Sequence, residues 1–340
     1  MLLRRCSPRS ITSFKQPRIR AYSSSSPSTI SSRRPFYSSP FFAVPSAFGL
    51  GYLSYYLYTS STTTLATPIN PYDFTPYTVA STTPLSPTSA VITLAPIHRS
   101  TPPPHFWPTI NAAGLWSVQV KQPQLQIQRQ YTPLPATDYT THSDDDTITL
   151  FVRAVSAGEV SPYLLSRAPG DTIELRGPVI TYPWSTDTTT DNSNATPTAP
   201  RNILFLAGGT GISPALQVAR HLVSLSGATQ PHTLTILYAS RSSAESVLPH
   251  LTALQKLNNS QLTVDVRFFH DDKGTFIGKS DVEECVPGKD LIMVSGPEGF
   301  VRHFAGPKGW KDGEETQGVL GGVVGEILRR RKQQVEVVKL

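Results

Sequence analysis

The stretch Ile203-Leu-Phe-Leu-Ala-Gly-Gly-Thr-Gly-Ile-Ser-Pro214 decides how this chain is read. Ile203 to Leu206 are continuously apolar, the pattern of a strand covered on both faces. Gly208, Gly209 and Gly211, with Thr210 among them, then permit positive φ and let a diphosphate approach the backbone. Pro214 suits a first helical position, and residues 215–225 space their apolar side chains as a helix does. Strand, glycine loop and helix opening in that order make a phosphate cradle. A purely structural turn would use the same glycines, so the rest of the chain has to decide between the two.

On the two sides of this loop the hydrophobic pattern differs. Across 201–340 strands and helices alternate, with β-rich runs at 203–207, 233–240, 264–269, 291–295 and 335–340 and helices from Ser213 and through Leu254. Such alternation predicts a doubly wound α/β nucleotide-binding domain, with ligands at the carboxyl ends of its strands, where 208–211 and 295–299 both fall. Across 88–184 short β-rich runs at 91–94, 116–120, 124–127, 147–155 and 172–175 are broken by Pro and Gly. That spacing predicts a small antiparallel β-barrel. Residues 185–200 abandon the pattern for Thr, Asp, Asn and Pro and read as a flexible loop, while 59–87 read as a Thr-, Ser- and Pro-rich linker.

The formal charge of +6 suggests nucleic acid only until its position is considered. Eight of the 30 basic residues precede residue 35, no acid precedes Asp73, and the remainder balances 22 basic against 24 acidic residues. Without a basic stripe interleaved with aromatics, nucleic-acid binding is a poor reading. The late cluster 329–332 reads as a solvated helix end. Residues 1–34, rich in Arg and Ser and free of acid, have the composition of a mitochondrial transit peptide. Residues 41–58 follow without a charge and are just long enough for a single transmembrane helix, or for a segment lying in the interface. If this segment spans, Arg33 and Arg34 stay on the matrix side and the C-terminal part lies in the intermembrane space. Cys6 and Cys285 are the only cysteines, and the eight histidines show no metal-ligand spacing, so no disulfide framework and no metal site is expected.

Four motifs then occur in a telling order: Arg129-Gln-Tyr-Thr-Pro-Leu134, Gly158-Glu-Val-Ser-Pro-Tyr-Leu164, Pro169-Gly-Asp-Thr-Ile-Glu-Leu-Arg-Gly-Pro178, and the pair formed by 208–214 with Ser295-Gly-Pro-Glu-Gly-Phe300. Over roughly 88–340 the chain thereby resembles the NADH-cytochrome b5 reductase branch of the ferredoxin reductase-type FAD-binding family. Its N-terminal organisation is most like that of the fungal mitochondrial flavoproteins that assist cytochrome c haem attachment. The resemblance implies that Arg129 pairs with an FAD phosphate, Tyr131 packs on the isoalloxazine and Thr132 hydrogen-bonds near flavin N5. It implies that Gly158, Val160 and Ser161 hold the FAD diphosphate, with Ser161 capping a helix that Pro162 continues. Gly208, Gly209, Thr210 and Gly211 would hold the NADH or NADPH diphosphate, with Ser295, Gly296, Pro297 and Phe300 beside the nicotinamide; Thr132 and Ser295 would be the catalytic pair. The third motif would end the barrel domain, with a turn at Gly170-Asp171 and a strand ending at Gly177.

Two departures qualify the match. Ser295 replaces the family's usual Cys, and Leu115-Trp-Ser-Val118 stands where the family has a Pro-Gly-Gln-His type approach to the flavin strand. Arg241, just past the second nucleotide-domain strand, is placed to meet a ribose 2′-phosphate, so the nucleotide is NADH or NADPH. The expected protein is a mitochondrial, membrane-tethered FAD oxidoreductase of the inner membrane, with the outer membrane as the alternative site. Its expected partner is a haem protein: cytochrome b5, or a c-type cytochrome with its haem lyase. A non-catalytic flavin-binding assembly factor is the competing class.

Overall fold

The computed structural model describes residues 69–97, 105–139, 146–184, 202–225 and 231–340, all within the compact unit Thr63–Leu340. The expected transit peptide (1–34), membrane segment (41–58) and flexible loop (185–200) lie outside the described residues. Among the described residues no helix is long and apolar enough to cross a membrane.

Two-residue alternation builds the first sheet. In β1 (Thr75–Ser86) Tyr77 and Val79 are buried, in β2 (Ser89–Pro96) Ala90, Ile92 and Leu94, and in β5 (Ile148–Arg153) Ile148, Leu150 and Val152. With β3 (Gly114–Gln122), β4 (Ile127–Tyr131) and β6 (Thr172–Pro183) these strands form one antiparallel sheet in the order β4-β3-β6-β1-β2-β5. The sheet curls without closing, so the predicted barrel is a half-barrel. Among the described residues its outer edges are joined by the Pro133–Leu150 bridge and the Leu134 N–H donated to the Thr149 carbonyl at 2.8 Å. Pro133 brings no N–H to the side facing β3, so the β3–β4 ladder stops at the Val118–Tyr131 pair.

Several expected boundaries move. The stretch expected as linker through 87 holds β1, because Tyr77 and Val79 have a core to enter and the intervening Thr and Ser suit the outer face. The run at 124–127 is mostly a turn held by the Leu125 N–H on Gln122 Oε1, and the strand starts at Ile127. Strand β6 runs through Gly177 rather than ending there. An unexpected helix, α1 (Phe106–Ala113), lays Phe106, Trp107 and Ile110 on the half-barrel core.

The second sheet is parallel throughout. Strands β7 (Asn202–Gly208), β8 (His232–Ser240), β9 (Leu262–His270), β10 (Leu291–Ser295) and β13 (Glu336–Lys339) take the order β13-β10-β7-β8-β9. The remaining strands, β11 (Gly309–Lys311) and β12 (Glu314–Thr316), form a separate hairpin. The apolar run of β7 is explained by layers on both faces. Ile203, Phe205 and Ala207 pack under α3 (Ile212–Ser224) and α4 (Pro249–Gln255), while Leu204 and Leu206 pack under α5 (Lys279–Cys285), α6 (Glu298–Ala305) and α7 (Gly322–Arg331). The winding reverses between β7 and β10, which places Gly208 and Ser295 side by side at the switch point. Pro214 is the third residue of α3, not the first, because a tight turn at Gly209–Gly211 feeds the helix at Ile212.

The two sheets share a core. Leu115, Leu134, Tyr139, Phe151 and Trp184 from the first half join the cluster built on β7 and α3. Trp184 stacks on His221 with ring centroids 4.0 Å apart, and Tyr139 donates its hydroxyl to the His250 carbonyl at 2.9 Å.

Candidate functional site

A cleft of about 390 Å³ opens where the two halves meet at the switch point. Strand β4 and its exit supply Arg129, Tyr131 and Thr132; the entry to the short helix α2 (Val160–Leu165) supplies Gly158, Val160 and Ser161; the strand ends of the second sheet supply Thr210, Gly211, Ser295 and Gly296. Residues from three distant motifs thus line one space. Gly208, Gly209, Pro297 and Phe300 do not line it. The Phe300 ring covers Gly208 so closely that a Cβ there would lie 2.8 Å from it, and exposed Pro297 precedes α6.

The glycines of the loop have separate reasons. Gly209 has φ +57°, and a Cβ there would meet the Arg153 guanidinium at 2.7 Å. At Gly211 a Cβ would lie 2.3 Å from the Ser295 carbonyl oxygen, so the start of α3 and the end of β10 touch backbone to backbone. Local structure also reassigns Ser161. Its Oγ accepts the Val155 N–H at 3.0 Å and caps nothing, and α2 begins at Val160 without a side-chain cap. The Ser161 hydroxyl proton remains available to donate.

Burial raises the Tyr131 phenol to about 12 against the pull of Arg129, so the ring is neutral at physiological pH. Arg129 is exposed and spends one N–H on the Gln128 carbonyl at 2.8 Å. Ser295 is only 6 % exposed at the end of β10. A flavin dinucleotide needs a cation for its diphosphate, a flat apolar ring face and a small polar group where a hydride arrives. Arg129, Tyr131 and Thr132 offer that set, and the Gly211 approach leaves bare backbone for a second dinucleotide. Among the described residues no cluster of His, Cys, Asp and Glu is arranged to hold a metal ion.

Sequence reading missed Arg153. It lines the cleft from the end of β5, and its guanidinium is gripped by both carboxylate oxygens of Glu245, Nε to Oε1 at 3.1 Å and Nη2 to Oε2. Glu245 is 1 % exposed and lies 92 residues away in the turn after β8. A lone Arg closing an apolar β run was the available signal, but nothing local names its partner. Gln217 of α3, also missed, bonds across the seam to Trp116 and Pro133.

Comparison with known proteins meets this geometry. A family model for the oxidoreductase FAD-binding domain matches residues 111–184, and one for the oxidoreductase NAD-binding domain matches 205–305. An uncharacterized FAD-binding protein of Schizosaccharomyces pombe is 31 % identical over 259 residues, covering 75 % of this chain and 82 % of the relative. The chain belongs to the FAD- and NAD-binding oxidoreductases of the cytochrome b5 reductase type. Two Saccharomyces cerevisiae proteins are each 26 % identical: NADH-cytochrome b5 reductase 2, over 64 % of this chain and 69 % of that protein, and the cytochrome c mitochondrial import factor CYC2, over 65 % and 71 %. The cytochrome b5 reductase domain of Ulva prolifera nitrate reductase has the same fold, with TM-score 0.55 at 18 % identity over 81 % of this chain and all of that domain. As a member of this reductase family the protein is an NAD(H)-dependent FAD oxidoreductase. Its FAD-binding match runs from the last turn of α1 through β6 and its NAD-binding match from within β7 through α6, one on each side of the cleft.

Proposed function

We propose that this reductase is tethered to the mitochondrial inner membrane and passes electrons from NADH or NADPH to a haem protein in the intermembrane space, in support of cytochrome c haem attachment. The observation that carries the reading is the meeting of Thr132 and Ser295 in one cleft. FAD, when bound, would accept one hydride, two electrons together, and return them one at a time to two haem irons, each of which takes a single electron. The residues supply position rather than acid or base. Arg129 neutralises the FAD diphosphate, assisted by backbone N–H groups of Gly158 and Val160 and the Ser161 hydroxyl. Tyr131 presents a neutral ring face to the isoalloxazine, and the Thr132 hydroxyl hydrogen-bonds at flavin N5. Across the cleft Thr210 and Gly211 would admit the nicotinamide dinucleotide diphosphate, with Gly208 and Gly209 shaping the turn behind them. Ser295 and Gly296 would stand beside the nicotinamide, with Phe300 packed behind them on Gly208 and Pro297 leading into α6.

The acidless N-terminus, the uncharged segment 41–58 and the likeness to a cytochrome c import factor support the location and the partner. Anaerobic NADH should bleach the flavin of the purified soluble part, and adding oxidised cytochrome should restore the colour. Bound FAD that no concentration of NADH or NADPH bleaches would end the enzyme reading. Loss of holocytochrome c in a deletion strain supports the haem-attachment role, whereas normal haem attachment with loss of cytochrome b5 reduction assigns the protein to b5 instead. Ser295 in place of the family's Cys favours one second reading, a flavin-binding assembly factor. That reading wins if a Thr132→Val, Gly211→Ala variant devoid of electron transfer still complements the deletion.

A further inference from the structure

We propose that Gln217 is a positioning residue that sets the spacing between the flavin half and the nucleotide half of the cleft; this rests on the cleft being the place of hydride transfer. Gln217 lies on α3, 8 % exposed, and all three of its hydrogen bonds go to backbone atoms of the half-barrel. Its Oε1 accepts the Trp116 N–H at 3.0 Å, while Nε2 donates to the Trp116 carbonyl at 3.1 Å and to the Pro133 carbonyl at 2.9 Å.

The register of β3 and β4 explains why a side chain is needed there. Val118 opposes Tyr131, so two further steps would set Trp116 opposite Pro133. Proline has no N–H to give, and the ladder stops. The Trp116 N–H and carbonyl, which a paired strand would satisfy, are taken instead by the amide of Gln217, acting as the missing rung from the other domain.

The positions at both ends of this link make it functional as well as structural. Pro133 directly follows Thr132, and α3 directly follows Gly211, which abuts the Ser295 backbone. Gln217 stands six residues beyond Gly211, about 9 Å along the helix. One amide therefore ties the segment that carries Thr132 to the helix that starts against Ser295. The Tyr139–His250 bond and the Trp184–His221 stack also cross the seam, but neither bonds a residue adjacent to Thr132.

Gln217→Leu keeps the volume and removes all three bonds. Purified with FAD and mixed anaerobically with NADH, this variant should bind FAD and NADH nearly as wild type does. Its limiting rate of flavin reduction should fall on the order of 100-fold, as a displacement near 1 Å can cause. The long-wavelength charge-transfer absorbance of nicotinamide stacked on reduced flavin should fade with it. Gln217→Glu provides the independent test. At about pH 8 its carboxylate faces two buried carbonyls and the rate should drop; towards about pH 5.5 the protonated carboxyl accepts from Trp116 N–H and donates to one carbonyl, so the rate should recover along a slope absent from wild type. Wild-type rate and wild-type charge-transfer absorbance in Gln217→Leu would overturn the proposal, and so would a Gln217→Glu rate that tracks wild type at every pH. If Gln217→Leu does not fold, the Gln217→Glu profile decides alone. A wild-type flavin that NADH does not reduce would bring down the functional reading itself, whereas normal reduction in wild type and both variants removes this inference only.

Discussion

The seam between the two halves of this molecule is built in two different ways. At the rear, away from the cleft, most contacts are between neutral groups: Trp184 stacked on His221, the Tyr139 hydroxyl on the His250 carbonyl, and the His250 Nε2 on the Pro135 carbonyl at 2.9 Å, with Arg220 of α3 and Asp138 of the first half as the charged groups beside them. At the front, along the cleft, it is crossed by a buried ion pair, Arg153 with Glu245, beside the exposed cation of Arg129. Neutral hydrogen bonds and rings hold two surfaces together at small desolvation cost. The bidentate, buried ion pair lies at the front, where anionic phosphates would arrive. The difference teaches that stiffness and binding are assigned to opposite ends of one interface.

The largest effect should follow from breaking the front pair. Glu245→Ala strands a guanidinium that is mostly withdrawn from water, and removing one partner of such a pair costs about 3 to 5 kcal/mol. Chemical denaturation should show that loss in the midpoint. The double variant Arg153→Met, Glu245→Leu should recover most of the stability, because two well-packed apolar residues can replace a buried pair at little cost. If Glu245→Ala and wild type melt together, the front of the seam is wetter than its burial states and the comparison fails there.

Gly211→Ala should come next. The new methyl would sit 2.3 Å from the Ser295 carbonyl oxygen, backbone that no side-chain rotation can move aside. Overpacking of this kind costs roughly 1 to 3 kcal/mol. The shift it forces should also lower NADH-dependent flavin reduction by on the order of 100-fold while FAD stays bound. Absorbance separates the two outcomes: a yellow protein that NADH bleaches at the wild-type rate would show that α3 and β10 can part without consequence.

How much of this was legible in the sequence depends on how far apart the partners lie. The glycine loop and the alternation behind the parallel sheet are local patterns that could be read from neighbours a few positions apart, whereas Arg129, Tyr131, Thr132 and Ser161 were reached through the resemblance of their motifs to a known family. Strand β1 was hidden because Thr, Ser and Pro spell a linker by composition, while its two core residues, Tyr77 and Val79, give too short an alternation to outweigh them. Helix α1 sits amid prolines and gains its place from tertiary packing of Phe106 and Trp107. The end of the β3–β4 ladder was concealed in one residue, Pro133, whose missing N–H matters only once the register that would set it opposite Trp116 is known. Gln217 and Trp116 are 101 positions apart, and Arg153 and Glu245 are 92. No periodicity reports such pairs.

The rear of the seam should reveal itself through pH. Burial, with His232 nearby, lowers His221 to about 4, whereas the unfolded chain titrates it near 6.5. Between those values the folded protein binds fewer protons than the unfolded one. Stability is therefore complete above about pH 6.5, declines as pH falls through the window, and levels off below about 4, for a total on the order of 3 kcal/mol. Burial lowers His250 as well, so the two seam histidines act in the same direction. Thermal melts across this range should show the decline in wild type and a shallower one in His221→Phe, which keeps a ring against Trp184. An unchanged profile in that variant would move the acid sensitivity away from the stack.

The smallest effect should come from an ion pair with good geometry in the wrong place. Lys308 and Glu315 meet at 2.8 Å across the ends of the β11–β12 hairpin, closer than the 3.1 Å contact of Arg153 Nε with Glu245. Distance alone would rank the hairpin pair first. Yet these side chains are 27 % and 49 % exposed, against 12 % and 1 % for the front pair. Water and salt already solvate each hairpin charge, so little is lost when its partner goes, and exposed pairs are worth about 0.2 to 1 kcal/mol. Lys308→Ala should thus shift the denaturation midpoint barely beyond error, and the shift should vanish at high ionic strength. A loss in Lys308→Ala as large as that in Glu245→Ala would mean that contact distance rather than burial governs charge in this protein, and the contrast between the ends of the seam would then lose its physical basis.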